Sequence, residues 1–412
     1  MRFRVIATLA TASVLAVSGI AGTTVAQAAP TRVVLAKSAP SWLARATQVG
    51  KTADNVPVIF RVYLAPNGGL DNLAAAVAKV STPGSASYRK FITADAYHAV
   101  YDPTAATVSS VSSWLAAQHL KVTGVADYNA YIQVAGSVAD VQAAFGTSIN
   151  TYNYEGKTAT ANSSALSVPD GVAGAVLSVT GIDTLPKLNK PGNTTPVPPS
   201  ASFVNARPCS LYYGQVTANL QADFQTPLPT LNGKALPYSV CGYTGVQYRT
   251  AYEGATSLDG AGVTVGIIDA FASPTIAQDI SQYGNTHGDG GYVTKQFTQN
   301  NYSTYTHTDA GPTGCDASGW FGEETLDIEA VHAMAPAANI RYYGAKSCYD
   351  DDIQNALAKV VNENRVDLVT NSYGEPDELA TAAGIAAFEA VVLQGSLQGM
   401  SFMFSSGDNG DE

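Results

Sequence analysis

The chain is poor in charge, in histidine and in cysteine, and each shortage narrows its chemistry. Charged residues are 13% of the 412, against about 25% in an ordinary globular domain. Acids outnumber bases by 33 to 22, for a net charge of -11, and no run of five or more lysines and arginines occurs. Nothing here supplies the basic field that nucleic acid requires. The five histidines include no His-Glu-x-x-His pair, and neither Asp-Thr-Gly nor Asp-Ser-Gly occurs, which sets aside zinc and aspartic proteases. Beyond the first thirty residues no apolar run approaches the roughly 20 residues that span a bilayer. The four cysteines, Cys209, Cys241, Cys315 and Cys348, are too scattered for a metal cluster. In an exported chain they predict two disulfides, expected as Cys209 with Cys241 and Cys315 with Cys348.

Export is predicted by the N-terminus. Arg2 and Arg4 precede an apolar run over residues 5–20, and Ala26-Gln27-Ala28 supplies a small-x-small cleavage pattern, the signature of a signal peptide over residues 1–29. The product is therefore expected outside the cell, with no membrane segment after cleavage.

Two folded regions follow. Residues 50–184 mix strand-like and helix-like periods, with strands at 58–64 and 131–134 and helices at 70–80, 105–119 and 138–145, and read as a compact α+β unit. Residues 185–207 turn to Pro, Asn, Thr and Ser, with Pro186, Pro191, Pro196, Pro198 and Pro199. This composition predicts a linker open to cleavage, with Lys187 and Lys190 as candidate cut points. From 208 to 412 strands at 262–269, 339–343, 366–372 and 401–406 alternate with helices at 273–283, 323–334, 351–364 and 379–398. That alternation predicts an α/β fold with a parallel sheet covered on both faces and chemistry at the carboxyl ends of its strands.

The most informative run is Gly322-Glu-Glu-Thr-Leu-Asp-Ile-Glu-Ala-Val-His-Ala-Met-Ala-Pro336. On a helix Glu323 and Asp327 fall on one face, one turn apart, within side-chain reach. The helix is apolar around much of its circumference and is expected to be buried. Two carboxyls brought together there favour sharing one proton and acting as a base in acid, although a solvated, acidic helix N-terminus fits the same residues. Glu324 remains a competing partner for Asp327. His332 points to another side of the helix and reads as structural. Asp350-Asp351-Asp352 reads as an N-cap and first turn. Asp408, flanked by glycines after the apolar strand at 401–406, is either a turn residue or a site residue. Protonated, it can donate to an oxyanion, which a carboxylate cannot do.

The order and spacing of these pieces resemble the sedolisins, or serine-carboxyl peptidases. The carrying residues are Glu-x-x-Leu-Asp-Ile-Glu with the Ala-Pro that follows it, Asn-Ser-Tyr-Gly-Glu at 371–375, Ser-Ser-Gly-Asp at 405–408, and the opening Leu-Asp-Gly-Ala-Gly-Val-Thr-Val-Gly-Ile-Ile-Asp at 258–269. Residues 55–183 are similar to a pro-kumamolisin-type propeptide, with Pro83-Gly84, Trp114-Leu115 and Ala144-Phe145-Gly146 as landmarks. The resemblance implies a subtilisin-like parallel sheet, incomplete at the C-terminus. It implies Glu323 as general base, Asp327 orienting it, Asp408 as oxyanion donor, and Ser372, Tyr373 and Gly374 as the edge along which a peptide substrate lies. It also implies a propeptide that aids folding and inhibits in cis, and a C-terminal calcium site. The family's Gly-Thr-Ser segment would lie beyond Glu412, as would that calcium site, so the 412 residues by themselves are expected to be inactive. Gly146-Thr147-Ser148 and Ala255-Thr256-Ser257 are loop serines. Protein or peptide substrates are expected, with endopeptidase action first and tripeptidyl-peptidase action or inactive peptide binding as alternatives. A Ser-His-Asp site using Asp269 is disfavoured, because Gly322-Glu323-Glu324 stands where a histidine would open the helix.

Overall fold

A computed structural model describes residues 31–191, 217, 230–231, 233–235, 245–253, 258–287, 289–376 and 379–407. The signal peptide, Cys209, Cys241 and Asp408 lie outside the described residues. Among those described, no helix is long and apolar enough to cross a membrane.

The α+β region forms around a four-stranded antiparallel sheet in the order Lys121–Val125, Tyr131–Ser137, Pro57–Leu64, Val176–Thr180. Strand Pro57–Leu64 alternates with period two. Phe60, Val62 and Leu64 enter a core with Ile132, Val134, Val111, Leu115, Val141 and Phe145. Arg61 and Tyr63 point the other way. Helix Val138–Phe145 begins where the sequence places it because Ser137 and Asp140 form a reciprocal capping box, and it stops at Gly146, whose φ of 65° suits a left-handed cap. A smaller sheet, Thr47–Lys51, Ile149–Tyr154 and Lys157–Asn162, packs Tyr152 and Tyr154 on Trp42. Its strands carry Thr, Asn and Lys among their apolar residues, so no clean period marks them in the sequence.

The second region is built on five parallel strands in the order Phe297–Asn300, Asn339–Ala345, Thr264–Ala270, Leu368–Asn371, Ser401–Phe404. Thr264–Ala270 is buried on both faces, as its unbroken apolar run demands. Val265 and Ile267 meet helices Ile276–His287 and Ala317–Met334 through Ile276, Ile280 and Ile328. Ile268 and Ala270 meet helix Asp350–Glu363 through Ile353, Leu357 and Val360. The α/β expectation therefore holds, with helices against both faces.

Three local expectations need correction. Helix Ala317–Met334 is buried along Trp320, Glu324, Asp327, Ile328, His332 and Ala333 only; Leu326 is 58% exposed and Ala330 is also exposed, because the neighbouring elements cover one side. The N-cap of helix Asp350–Glu363 is Tyr349, and the three aspartates form its first turn. The start of the linker is not loose. Leu185 is buried in the Trp42 cluster, and Leu188 and Lys190 bridge antiparallel to Tyr349 and Gly374.

The outward face of strand Pro57–Leu64 docks on helix Asp350–Glu363. The Arg61 guanidinium lies 3.3 Å from the Asp351 carboxylate, and the Tyr63 hydroxyl donates to Gln354. Leu73, Val80 and Tyr97 close around Leu397 of helix Ala382–Leu397. One strand thus organises the first region's core and its attachment to the second. Phe145 is fully buried between Phe60 and Trp114. Phe145→Ala is expected to destabilise the first region by about 3–5 kcal/mol, read as a lower urea midpoint in tryptophan emission; an unchanged midpoint contradicts this account of the core.

Candidate active site

The site is assembled where helix Ala317–Met334 crosses the carboxyl ends of the parallel strands. Asp327 points inward and is 8% exposed. Its Oδ1 accepts a hydrogen bond of 2.9 Å from the Ser372 hydroxyl, just past strand Leu368–Asn371, while its Oδ2 is buried without a hydrogen-bond partner. Glu323, one turn earlier, is half-buried. Burial pushes the Asp327 carboxyl up to about 6, against the opposing pull of the Ser372 hydrogen bond.

Asp269 lies near the end of the first core strand, fully buried, with neither carboxyl oxygen hydrogen-bonded. Its pKa is pushed well above the ordinary range, first by burial and then by the negative charge of Asp327, Glu323 and Glu324. Such a group keeps its proton where an exposed aspartate has lost it. In sequence Asp269 reads only as the acid of a disfavoured histidine-based triad. The structure turns it toward the carboxyls of the site helix. The signal that marks it is an acid ending an otherwise apolar, doubly buried strand.

Glu324, left open as a partner for Asp327, is fully buried and committed elsewhere. It accepts from the Ser273 amide and, at 3.1 Å, from Gln299. Burial raises it to about 7, less than it would without those two donors. It fastens the helix to the loop after the first core strand. His332 is a packing residue: its Nε2 lies 3.0 Å from the Gly290 carbonyl, and its ring stacks on Tyr292. Tyr373 donates to Asn371 at 2.8 Å, and Gly374 exchanges backbone hydrogen bonds with Lys190.

Beside Tyr373 and Gly374 runs a groove occupied by the chain's own Lys187 and Asn189. Asn189 donates its backbone N–H to the Cys348 carbonyl at 2.9 Å, Lys190 donates to Gly374 at 3.1 Å, and Gly374 donates back to Lys190 at 3.3 Å. The segment 187–190 is therefore held between two edges by isolated antiparallel bridges, in the manner of a strand added to a sheet edge. The Cys348 wall is tied by a disulfide to Cys315, just before the site helix; this is the second of the two expected pairs.

Proton linkage fixes a sign for stability. Asp327 and Asp269 are raised from an ordinary 3.8, so between about pH 4 and 6 the folded chain holds more protons than the unfolded one. Their contribution is fully present below about pH 4 and is lost as pH rises through the folded values. Asp269→Asn, which removes the charge and keeps the shape, is expected to raise the melting temperature at pH 7.5 and to change little at pH 3.5. Equal shifts at both pH values would refute the burial argument.

Comparison with known proteins finds relatives along much of the chain. Residues 44–185 match the model of the pro-kumamolisin activation domain. The chain is 26% identical over 366 residues to sedolisin of Pseudomonas sp. (strain 101), covering 88% of this chain and 54% of that protein. It is 25% identical over 282 residues to kumamolisin of Bacillus sp. (strain MN-32), covering 67% and 44%. It therefore spans about half the length, or less, of the curated relatives it matches. Among solved structures, Pseudomonas sedolisin, a serine-carboxyl proteinase complexed with two molecules of pseudo-iodotyrostatin, aligns at 22% identity and a TM-score of 0.34, over 41% of this chain and 45% of that one. With an activation-domain match at the front and a relative that aligns over 88% of the chain, the chain is similar to sedolisin-family precursors across both regions.

Proposed function

We propose that the chain belongs to a secreted, acid-acting serine-carboxyl endopeptidase precursor. Glu323 takes the proton from an attacking serine contributed by a segment beyond Glu412. Asp327 shares a proton with Glu323 and orients it, and Asp408, protonated, donates to the developing oxyanion. The observation that carries this reading is the antiparallel bridge of Lys190 to Gly374, two residues from the serine whose hydroxyl holds Asp327. A peptide in this register comes opposite Ser372 two residues after Lys190, beside the buried acids.

Acid operation follows from the chemistry of those acids. A carboxylate base and a carboxylic acid donor coexist only where part of the cluster keeps its protons, and burial already moves Asp327 to about 6. An imidazole base would favour neutral pH. Endopeptidase action is the first reading, with tripeptidyl-peptidase action or inactive peptide binding as the alternatives. Occupancy of the groove by Lys187 and Asn189 supports the first region as an inhibitor in cis. Calcium, implied by the resemblance, belongs to a site outside these residues. Among the described residues no group of three or more His, Cys, Asp or Glu could hold a metal ion, and no step of this scheme passes through one.

In the complete protein, Glu323→Gln should fail to shed the first region at pH 4 while the parent sheds it, as followed by gel mobility and mass. Normal processing in that variant removes Glu323 from the mechanism. Ser372→Ala deletes the hydrogen bond that lowers Asp327. The Asp327 carboxyl then rises further, and the ionisation that limits activity on the acid side should move to higher pH in a kcat/KM profile; an unmoved profile separates Ser372 from the proton chemistry.

A further inference from the structure

Beside the groove lies a second set of acids that the mechanism does not use. Asp350 and Glu375 stand on its two walls and hydrogen-bond to each other. Asp350 Oδ1 also accepts from the Asn189 amide group at 2.7 Å. Glu375 Oε2 is buried without a hydrogen-bond partner. Asp351 adjoins them, paired with Arg61. Into this recess comes the side chain of Lys187, with its ammonium 3.2 Å from Asp183 and its charge acting on Asp350, Asp351 and Glu375.

Asp183 belongs to the first region, where Trp42 donates to it at 3.0 Å. It leaves when that region leaves. Arg61 leaves too, freeing Asp351. What remains is a recess with three carboxyls and an unused acceptor, and among the described residues the second region lines it with no lysine or arginine. Burial raises both Glu375 and Asp350, and Lys187 opposes the rise in each, as expected where a cation is the favoured neighbour.

We propose that Asp350, Asp351 and Glu375 form a specificity subsite for a lysine or arginine side chain of the substrate, and that Lys187 enters this recess in the precursor with its ammonium held on Asp183. The subsite reads the residue three positions before the one opposite Gly374, hence five before the one opposite Ser372. The assignment deepens the peptidase reading above and, as a statement about substrates, rests on it. An apolar side chain at this position leaves the Glu375 oxygen unsatisfied, and an acidic one adds repulsion. A basic one, with Asp183 gone, can turn its ammonium to that oxygen, which Lys187, held on Asp183, leaves open in the precursor.

Two measurements separate the subsite from the chemistry. The first uses the intact precursor at pH 7 and needs no catalysis: amide exchange of Asn189 and Lys190, the donors into the groove, compared in Lys187→Met, Glu375→Gln and the double variant. Each single change should speed exchange about ten-fold, and the double no more than either alone. Unchanged or additive rates overturn the proposal, the latter because Lys187 would then be serving Asp183 alone. The second uses the processed full-length protein with peptides spanning Pro-Lys-Leu-Asn-Lys-Pro-Gly extended past the scissile bond, and the same peptides with Met for the first lysine. A kcat/KM about ten-fold higher for lysine, falling to near parity in Glu375→Gln, supports the subsite; parity in the parent overturns it. Coupled exchange in a protein that cleaves neither peptide upholds the recess as a lysine site and defeats the peptidase reading instead.

Discussion

Burial of carboxyl groups without cations to balance them is the constraint around which the second region is arranged. Asp269 and Asp327 lie at the carboxyl ends of parallel strands, where the sheet is enclosed by helices on both sides. Among the described residues no lysine or arginine pairs with them, and the low-energy state is one that keeps protons. The neighbours of that cluster hold it in place. Glu324 accepts from Ser273 and Gln299 and so fixes the helix, and Ser372 donates to Asp327. A site built this way is chemically tuned by exclusion of water and cations, and the fold must spend packing energy to hold it closed.

Much of the architecture is legible in the sequence because it rests on periodicity. The doubly buried strand Thr264–Ala270 announces itself as an unbroken apolar run, and helix Val138–Phe145 is bounded by its own capping residues. The small sheet carrying Tyr152 and Tyr154 is not legible, since its strands are stabilised by ring packing on Trp42, a residue more than a hundred positions away. For the same reason the depth of helix Ala317–Met334 escapes a local reading. Its composition is apolar nearly all round, but which arc is covered depends on where strands from 264 to 371 lie, and no local pattern encodes that.

The site shows the same division. Spacing alone puts Glu323 and Asp327 on one helical face, but it leaves Glu324 as an equal candidate, and only the positions of Ser273 and Gln299 distinguish the two. Asp269 joins the cluster through strand order, a nonlocal fact. The linker departs from expectation in the opposite sense. Its Pro-rich composition argues for an open chain, yet backbone groups on Cys348 and Gly374 accept and donate regardless of side chain, so a segment with no strand propensity is still bridged to both edges.

The Cys315–Cys348 link joins two places that chemistry would otherwise treat as separate. One end precedes the helix that bears the acids; the other supplies the carbonyl that grips the peptide. Covalent coupling of this kind fixes the start of the acid helix to the edge whose carbonyl holds Asn189.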